Sequence, residues 1–167
     1  LRRHVFPRLV ALRRAKQPIR VWVPGCSTGE EVYSLAIALS EFLDYQKIKT
    51  AVQIFGTDLA ERHIERARNA LYPDTIRSRL SPQRLERFFD PVNDGFRVVK
   101  HIREMCVFAR QDITQDPPFS KIDLVSCRNV LIYFDTTFQE RAFPLFHFAL
   151  NPGGFLMLGA SESLGRF

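Results

Sequence analysis

Two adjacent carboxylates, Glu30 and Glu31, open a helix directly after a glycine turn, in the stretch VWVPGCSTGEEVYSLA from Val21 to Ala36. Glycine turns between a strand and a helix usually cradle phosphate, because the first helical N–H groups and the helix dipole favour an anion. Here that first turn already holds two negative side chains, which would repel a pyrophosphate. The spacing Gly25-x-x-x-Gly29 also lacks the lysine of a P-loop and the third glycine of the dinucleotide fingerprint. The two glycines still permit unusual dihedrals and close approach of a ligand to the backbone. A cationic ligand without phosphate suits such a loop. S-adenosylmethionine is one: it carries a sulfonium, an ammonium, a ribose that can donate hydrogen bonds to a carboxylate, and an adenine ring. Gly25, Cys26, Ser27, Thr28, Gly29, Glu30 and Glu31 therefore form the candidate cofactor loop. The competing reading is a capping box, Ser27-x-x-Glu30 or Thr28-x-x-Glu31, which would only satisfy backbone donors.

Further acids stand where strands should end. Asp58 closes VQIFGTD and is placed to accept both ribose hydroxyls, as acids there do in nucleotide-binding sheets; it is equally placed to cap the next helix. Asp112 closes CVFARQD and suits the adenine edge, with ordinary loop-turn chemistry as its alternative.

The elements that must position these residues follow from periodicity. Apolar runs alternate with helical patterns, which predicts a parallel sheet with helices on both faces. Ile19 to Pro24 reads as a strand. Glu30 to Tyr45 reads as a helix with Val32, Leu35, Ala36 and Leu39 on one face. VQIFGTD is a second strand, and LAERHIERARNAL a helix with Ile64, Ala67 and Leu71 inward. Residues from about Tyr72 to Glu104 interrupt the alternation: Ser81-Pro82 starts a short helix over LERFF, VNDG is a turn, and FRVVKHI is a strand, giving a small hairpin-bearing insertion. CVFARQD and KIDLVSCRN resume the parallel strands. Thr136 to Leu150 is a helix that Pro144 should kink or break. NPGG reads as a sharp turn and FLMLGASES as a last strand. In such a sheet ligands bind beyond the carboxyl ends of the strands, so PGCSTGE, TD, ARQD and SCRN should converge on one crevice.

A chain of 167 residues with 46% hydrophobic content predicts a single domain over residues 1–167. No apolar run approaches the ~20 residues of a membrane span, and LRRHVFPRLVALRRAK lacks a signal peptide's apolar core, so a soluble, cytoplasmic protein is expected. Cys26, Cys106 and Cys127 are odd in number and lack a C-x-x-C pair, and the histidines are scattered; neither disulfides nor a metal site is expected. The net charge of +6 is concentrated at one end, since the first twenty residues hold seven basic groups, leaving 17 basic against 18 acidic residues in the rest. That end reads as an amphipathic helix with Leu1, Val5, Leu9 and Leu12 inward, its basic groups (Arg13, Arg14 and Lys16 among them) either solvated or meeting an acidic partner.

PGCSTGEEVYS, IFGTD, SCRNVLIYFD and LNPGGFLMLGASES, in this order and over nearly the whole chain, resemble the CheR-type chemotaxis receptor methyltransferases. The likeness is strongest to the CheR segment of hybrid proteins that also contain CheB and PAS domains. The resemblance implies a class I, Rossmann-like methyltransferase that uses S-adenosylmethionine, releasing S-adenosylhomocysteine, to esterify glutamates on chemoreceptor cytoplasmic helices. It implies Gly25 to Glu30 as the cofactor loop, with Glu30 or Glu31 supplying a carboxylate, and Asp58 on the ribose. Asp112 and Ile113 would lie against the adenine, Asn129 and Val130 would close the pocket, and Tyr133 would face the transferable methyl group. Arg128 would steer the substrate carboxylate or pair with a structural acid, and Cys127 packs as a small hydrophobe. The insertion falls where the family has a small β-subdomain that grips a receptor tail in some members. Val32 stands where the family often has proline. The resemblance also implies a longer protein, with a helical segment ending in Phe-Phe-Arg ahead of residue 1 and two further strands after residue 167.

Three other functions compete. A nucleic-acid amino-methyltransferase is suggested by Asp116-Pro117-Pro118-Phe119, but that tetrapeptide precedes the strand it should follow. A nicotinamide oxidoreductase is opposed by the glycine spacing and the first-turn acids. A non-catalytic module that senses S-adenosylmethionine or docks receptors has the same motifs.

Overall fold

In the computed structural model of the chain, which describes residues 1–12, 17–134 and 136–162, the first helix is α1 (Phe6–Leu12). Then follow β1 (Ile19–Pro24), α2 (Glu30–Tyr45), β2 (Val52–Asp58) and α3 (Glu61–Asn69). The insertion contains β3 (Leu71–Tyr72), a 3-10 turn over Asp74–Arg79, α4 (Pro82–Phe88), β4 (Phe89–Val92), β5 (Gly95–Val98) and α5 (Lys100–Arg103). The chain continues with β6 (Cys106–Arg110), β7 (Ile122–Cys127), α6 (Thr136–Ala149) and β8 (Leu150–Leu158).

The main sheet has five strands in the order β6-β2-β1-β7-β8, and each neighbouring pair is parallel. Both faces are covered, which is why the strands read as unbroken apolar runs. Val21, Val23, Ile54 and Leu124 pack with α1, α2 and α3. Trp22, Phe55 and Val125 point the other way and pack with Ala142, Phe143 and Phe146 of α6. The bounds of β1, α2 and β2 agree with the sequence reading. Val32, at the proline position of the family, is fully buried in the first cluster.

Several local expectations are corrected. In α1, Phe6 and Leu9 are buried, whereas Leu1, which precedes the helix start at Phe6, and Leu12, at the helix end, are exposed. Phe6 packs edge-on against Phe42 at 5.7 Å. Arg13, Arg14 and Lys16 lie outside the described residues. Helix α3 ends at Asn69, since Ala70 turns left-handed (φ 54°) and Leu71 leaves as exposed strand. KHI is helix α5, not strand: β5 stops at Val98, paired with Phe89, and after one further in-register bond from the Val99 N–H to the Phe88 carbonyl the facing segment is helix α4. NPGG is no turn before β8 but an irregularity inside it, for Leu150 pairs with Ile122 and Phe155 with Leu124. Asn151 Nδ2 donates to Asp123 at 2.7 Å across that irregularity. Helix α6 runs unbroken past Pro144.

The insertion is a three-stranded antiparallel sheet, β3-β5-β4, larger than the expected hairpin. Gly95 (φ 147°) lets β5 pass the Tyr72 carbonyl, where a Cβ would stand 2.1 Å from the oxygen. Ser81 caps α4 by accepting from the Arg84 N–H, with Pro82 at the first helical position as predicted. Phe88, Phe89, Phe96 and Val98 join the same core as α2, each phenylalanine contributing roughly 1.5–3 kcal/mol of burial. Arg84 makes a bidentate pair with Glu41 at 2.9 and 2.8 Å, and Arg87 pairs with Asp44, so α4 is clamped along α2.

Candidate functional site

The glycine loop is held from three sides. The Cys26 N–H donates to the Thr57 carbonyl at 2.8 Å, the Ser27 N–H to Asp58 Oδ2 at 2.9 Å, and the Tyr72 hydroxyl to the Thr28 carbonyl at 3.0 Å. Gly25, Ser27 and Gly29 all have positive φ, at 63°, 47° and 89°. Gly29 is favoured by space as well, because a Cβ would crowd that of Ala67 at 3.0 Å. At Gly25 a Cβ would stand 2.5 Å from Val130 Cγ2, so the loops after β1 and β7 are in direct contact.

Neither capping box forms. The cap residue of α2 is Gly29, with no side-chain cap, and its N–H bonds the Cys26 carbonyl. Glu30 instead accepts from the Thr28 hydroxyl through both oxygens, at 2.8 and 2.7 Å. Glu31 accepts from the Ser126 hydroxyl and faces the Arg128 guanidinium at 3.5 Å. The two acids of the first turn thus have distinct surroundings, one exposed on the loop and one reaching to the end of β7.

Asp58 serves its own turn and the neighbouring loop together. Its Oδ1 accepts from the Ala60 N–H at 2.9 Å and meets His63 Nδ1 at 3.1 Å, while Oδ2 takes the Ser27 N–H. The carboxylate side chain is only 14% exposed. Asp112 makes the loop-turn contacts anticipated as its alternative: Oδ1 accepts from the Thr114 N–H at 2.8 Å and hydroxyl at 2.6 Å. The Thr114 hydroxyl and then its N–H hold Asp112 below the usual carboxylate range. Ile113 is half-buried against the second core cluster.

After β7, Cys127 is fully buried, and burial pushes its thiol up, with the charges of Glu162 and Glu31 adding to the effect. Burial first, and Asp58 second, raise Cys26 to about 12, so both thiols near the crevice stay protonated. Asn129 has φ 57°, Val130 covers Gly25, and Tyr133 ends a short 3-10 turn with its side chain 82% exposed. Arg128, half-exposed, faces Glu31, a contact compatible with either of its expected roles.

Three residues here escaped the sequence reading. Ser126 and His63 hold Glu31 and Asp58. Glu162 accepts from the N–H groups of Asn129, Val130, Leu131 and Gly159. Its only sequence signal is an acid shortly after the fifth strand, in GASES, a position comparable to Asp58 after the second. Around the carboxyl ends of the strands the chain therefore gathers Glu30, Glu31, Asp58, Asp112 and Glu162 against Arg110, Arg128 and His63. A negative crevice with a backbone-lined loop suits a cation bearing hydroxyl donors and disfavours polyphosphate.

The family model described as CheR methyltransferase, SAM binding domain, matches residues 1–167. The chain is 41% identical over 160 residues to a 104.1 kDa protein in the hypE 3′ region of Rhodobacter capsulatus, covering 96% of this chain and 17% of that protein. It is 38% identical over 171 residues to chemotaxis protein methyltransferase 1 of Pseudomonas aeruginosa, covering 99% of this chain and 62% of that one. The chain therefore spans less than two thirds of the length of either relative. The S-adenosylmethionine-dependent methyltransferase of Mesorhizobium loti superposes with a TM-score of 0.50 at 22% identity, over 91% of this chain and 51% of that structure, and shares its fold.

Proposed function

The chain belongs to the CheR methyltransferase family, as its S-adenosylmethionine-binding domain, and from that premise we propose that it methylates glutamate side chains on the cytoplasmic helices of chemoreceptors. The observation that carries this reading is the pair of first-turn acids, Glu30 and Glu31, which leave the helix uncapped and make the strand ends negative. The donor set fits the cofactor. Glu30, exposed beside the loop, is an acceptor for a cation or hydroxyl, and Asp58 retains acceptor capacity beyond what it spends on Ser27, Ala60 and His63. In this reading Gly25 to Gly29 let the ligand approach the backbone, Asp112 and Ile113 lie at the adenine, and Asn129 and Val130 close the pocket.

When bound, S-adenosylmethionine supplies a methyl group made electrophilic by its sulfonium. The acceptor glutamate, with an ordinary pKa of ~4.3, is ionised at neutral pH and needs no general base. The chain's task is alignment, worth up to roughly 7–11 kcal/mol in well-oriented systems, together with partial removal of water from the acceptor. Tyr133, exposed three residues beyond Val130, would orient the acceptor. Arg128 draws the acceptor carboxylate in by sharing the guanidinium that now faces Glu31 at 3.5 Å. The three-stranded insertion is the candidate grip for a receptor segment. A longer parent protein, in which CheB and PAS domains would accompany this one, is in keeping with the size of the 104.1 kDa relative, of which the chain spans 17%.

The test is transfer of a labelled methyl group from S-adenosylmethionine to a purified receptor cytoplasmic fragment by the whole protein. Base-labile label on receptor glutamates, abolished by Asp58→Ala, supports the reading. Tight binding of S-adenosylhomocysteine without any transfer would leave a cofactor-sensing or receptor-docking module in its place.

A further inference from the structure

Glu162 stands four residues beyond the last residue of β8, and its carboxylate is directed wholly at backbone. Oε1 accepts from the Val130 N–H and the Leu131 N–H, both at 2.8 Å. Oε2 accepts from the Asn129 N–H at 3.0 Å and the Gly159 N–H at 2.7 Å. The N–H groups of Asn129, turned left-handed at φ 57°, and of the two residues that follow it form a concave nest of the kind that binds anions. In this chain the nest is filled by the chain's own carboxylate. A Cβ on Gly159 would stand 2.7 Å from Oε2 and 3.1 Å from the Asn129 nitrogen, so only glycine lets the strand end come this close. Burial works to raise the Glu162 carboxyl, but the four donors outweigh it and hold the group below its usual range, keeping it ionised. Charge-assisted bonds of this type are about twice as strong as neutral ones.

The segment so gripped is the one whose Val130 covers Gly25, and it lies between Arg128, which faces Glu31, and Tyr133. We propose that Glu162 is a positioning residue: by filling the nest of Asn129–Leu131 it fixes the loop after β7 against the glycine loop and so sets the shape of the cofactor crevice. It acts through the backbone and touches no ligand itself. The identity of the ligand rests on the function proposed above; the grip on the loop does not.

The experiment uses Glu162→Ala and Glu162→Asp in the whole protein, with two readouts. Amide hydrogen exchange at Asn129, Val130, Leu131 and Gly159 reports the loop, and calorimetric titration of S-adenosylhomocysteine reports the crevice. Glu162→Ala is expected to lose protection at those amides and to bind roughly ten- to a hundredfold more weakly, with Glu162→Asp between it and the wild type. Sodium formate, set against sodium chloride at equal ionic strength, should refill the nest in Glu162→Ala and restore part of both signals, which a general loss of stability would not allow. Should Glu162→Ala fail to fold, Glu162→Gln keeps the volume but turns an amide NH2 toward two of the donors, and the same loss of protection and affinity is expected. Wild-type protection and affinity in either variant overturns the proposal, as does a loss in Glu162→Ala that neither formate nor Glu162→Asp reverses. If the wild type shows protected amides yet binds no S-adenosylhomocysteine, the assigned function fails and the grip on the loop stands.

Discussion

The two ends of the central sheet carry similar side chains and do different things with them. At the amino ends of the strands, Arg20, Gln53, Asp123 and Asn151 line a hollow of about 620 Å³. Asp123 accepts from the Arg20 N–H at 2.8 Å and from Asn151, while the Arg20 guanidinium donates to the Ser120 carbonyl at 2.9 Å and lies over the Phe55 ring. With Lys121 also on the wall, the charged lining there is Arg20 and Lys121 against Asp123, without a negative excess, and the polar groups lace loops together. At the carboxyl ends, Glu30, Glu31, Asp58, Asp112 and Glu162 outnumber Arg110, Arg128 and His63, and three of those acids spend their oxygens on the backbone N–H groups of loops. In the function proposed above, the mark of the site is not a roomy hollow but an excess of negative charge around loops with left-handed residues.

The largest test of that contrast is Asp58→Ala. It removes the acceptor of the Ser27 and Ala60 N–H groups, so we expect about 2–4 kcal/mol of lost stability in urea unfolding and roughly a hundredfold weaker S-adenosylhomocysteine binding. Gly25→Ala comes next: the left-handed φ and the overlap with Val130 should cost about 2–3 kcal/mol, and Val130→Ala should recover a measurable part of it in a double-mutant cycle. At the opposite end, Asp123→Asn should cost about 1–2 kcal/mol of stability yet leave ligand affinity within about twofold. A tenfold loss of affinity there would break the comparison. The smallest effect is in acid. Asp112 lies below its ordinary value of 3.8 and Glu162 below 4.5, so the stability they lend is complete above the ordinary values and is lost as pH falls through the depressed ones. The acid limb of unfolding free energy, followed from about pH 6 down to pH 2, should flatten in Asp112→Asn and in Glu162→Gln.

Much of this was legible in the sequence, for identifiable reasons. β1, α2 and β2 declare themselves because strands buried on both faces read as apolar runs and α2 carries a 3.6-residue period. Gly25, Gly29 and Asp58 stand at the strand ends where the doubly wound topology places ligands. What stayed hidden depends on partners distant in the chain. The capping-box spacing is present, but the helix takes Gly29 as its cap, so the match is empty. KHI looks like strand until β4 runs out of residues to pair with it. NPGG looks like a turn until Asp123 holds Asn151 within the strand. Glu162 meets its donors 31 to 33 residues earlier and at Gly159, and no local pattern announces such a grip.

The phenol of Tyr72 is the first side chain of the insertion's sheet to reach the glycine loop, by its bond to the Thr28 carbonyl, and its ring rests edge-on against Tyr33 of α2. Any partner that docks on β3-β5-β4 and displaces that phenol must alter the energy of the loop. Thermodynamic reciprocity then requires a nucleoside held by the loop to alter the partner's grip by the same factor. Substrate and cofactor would in that way sense one another through a single oxygen, without ever touching.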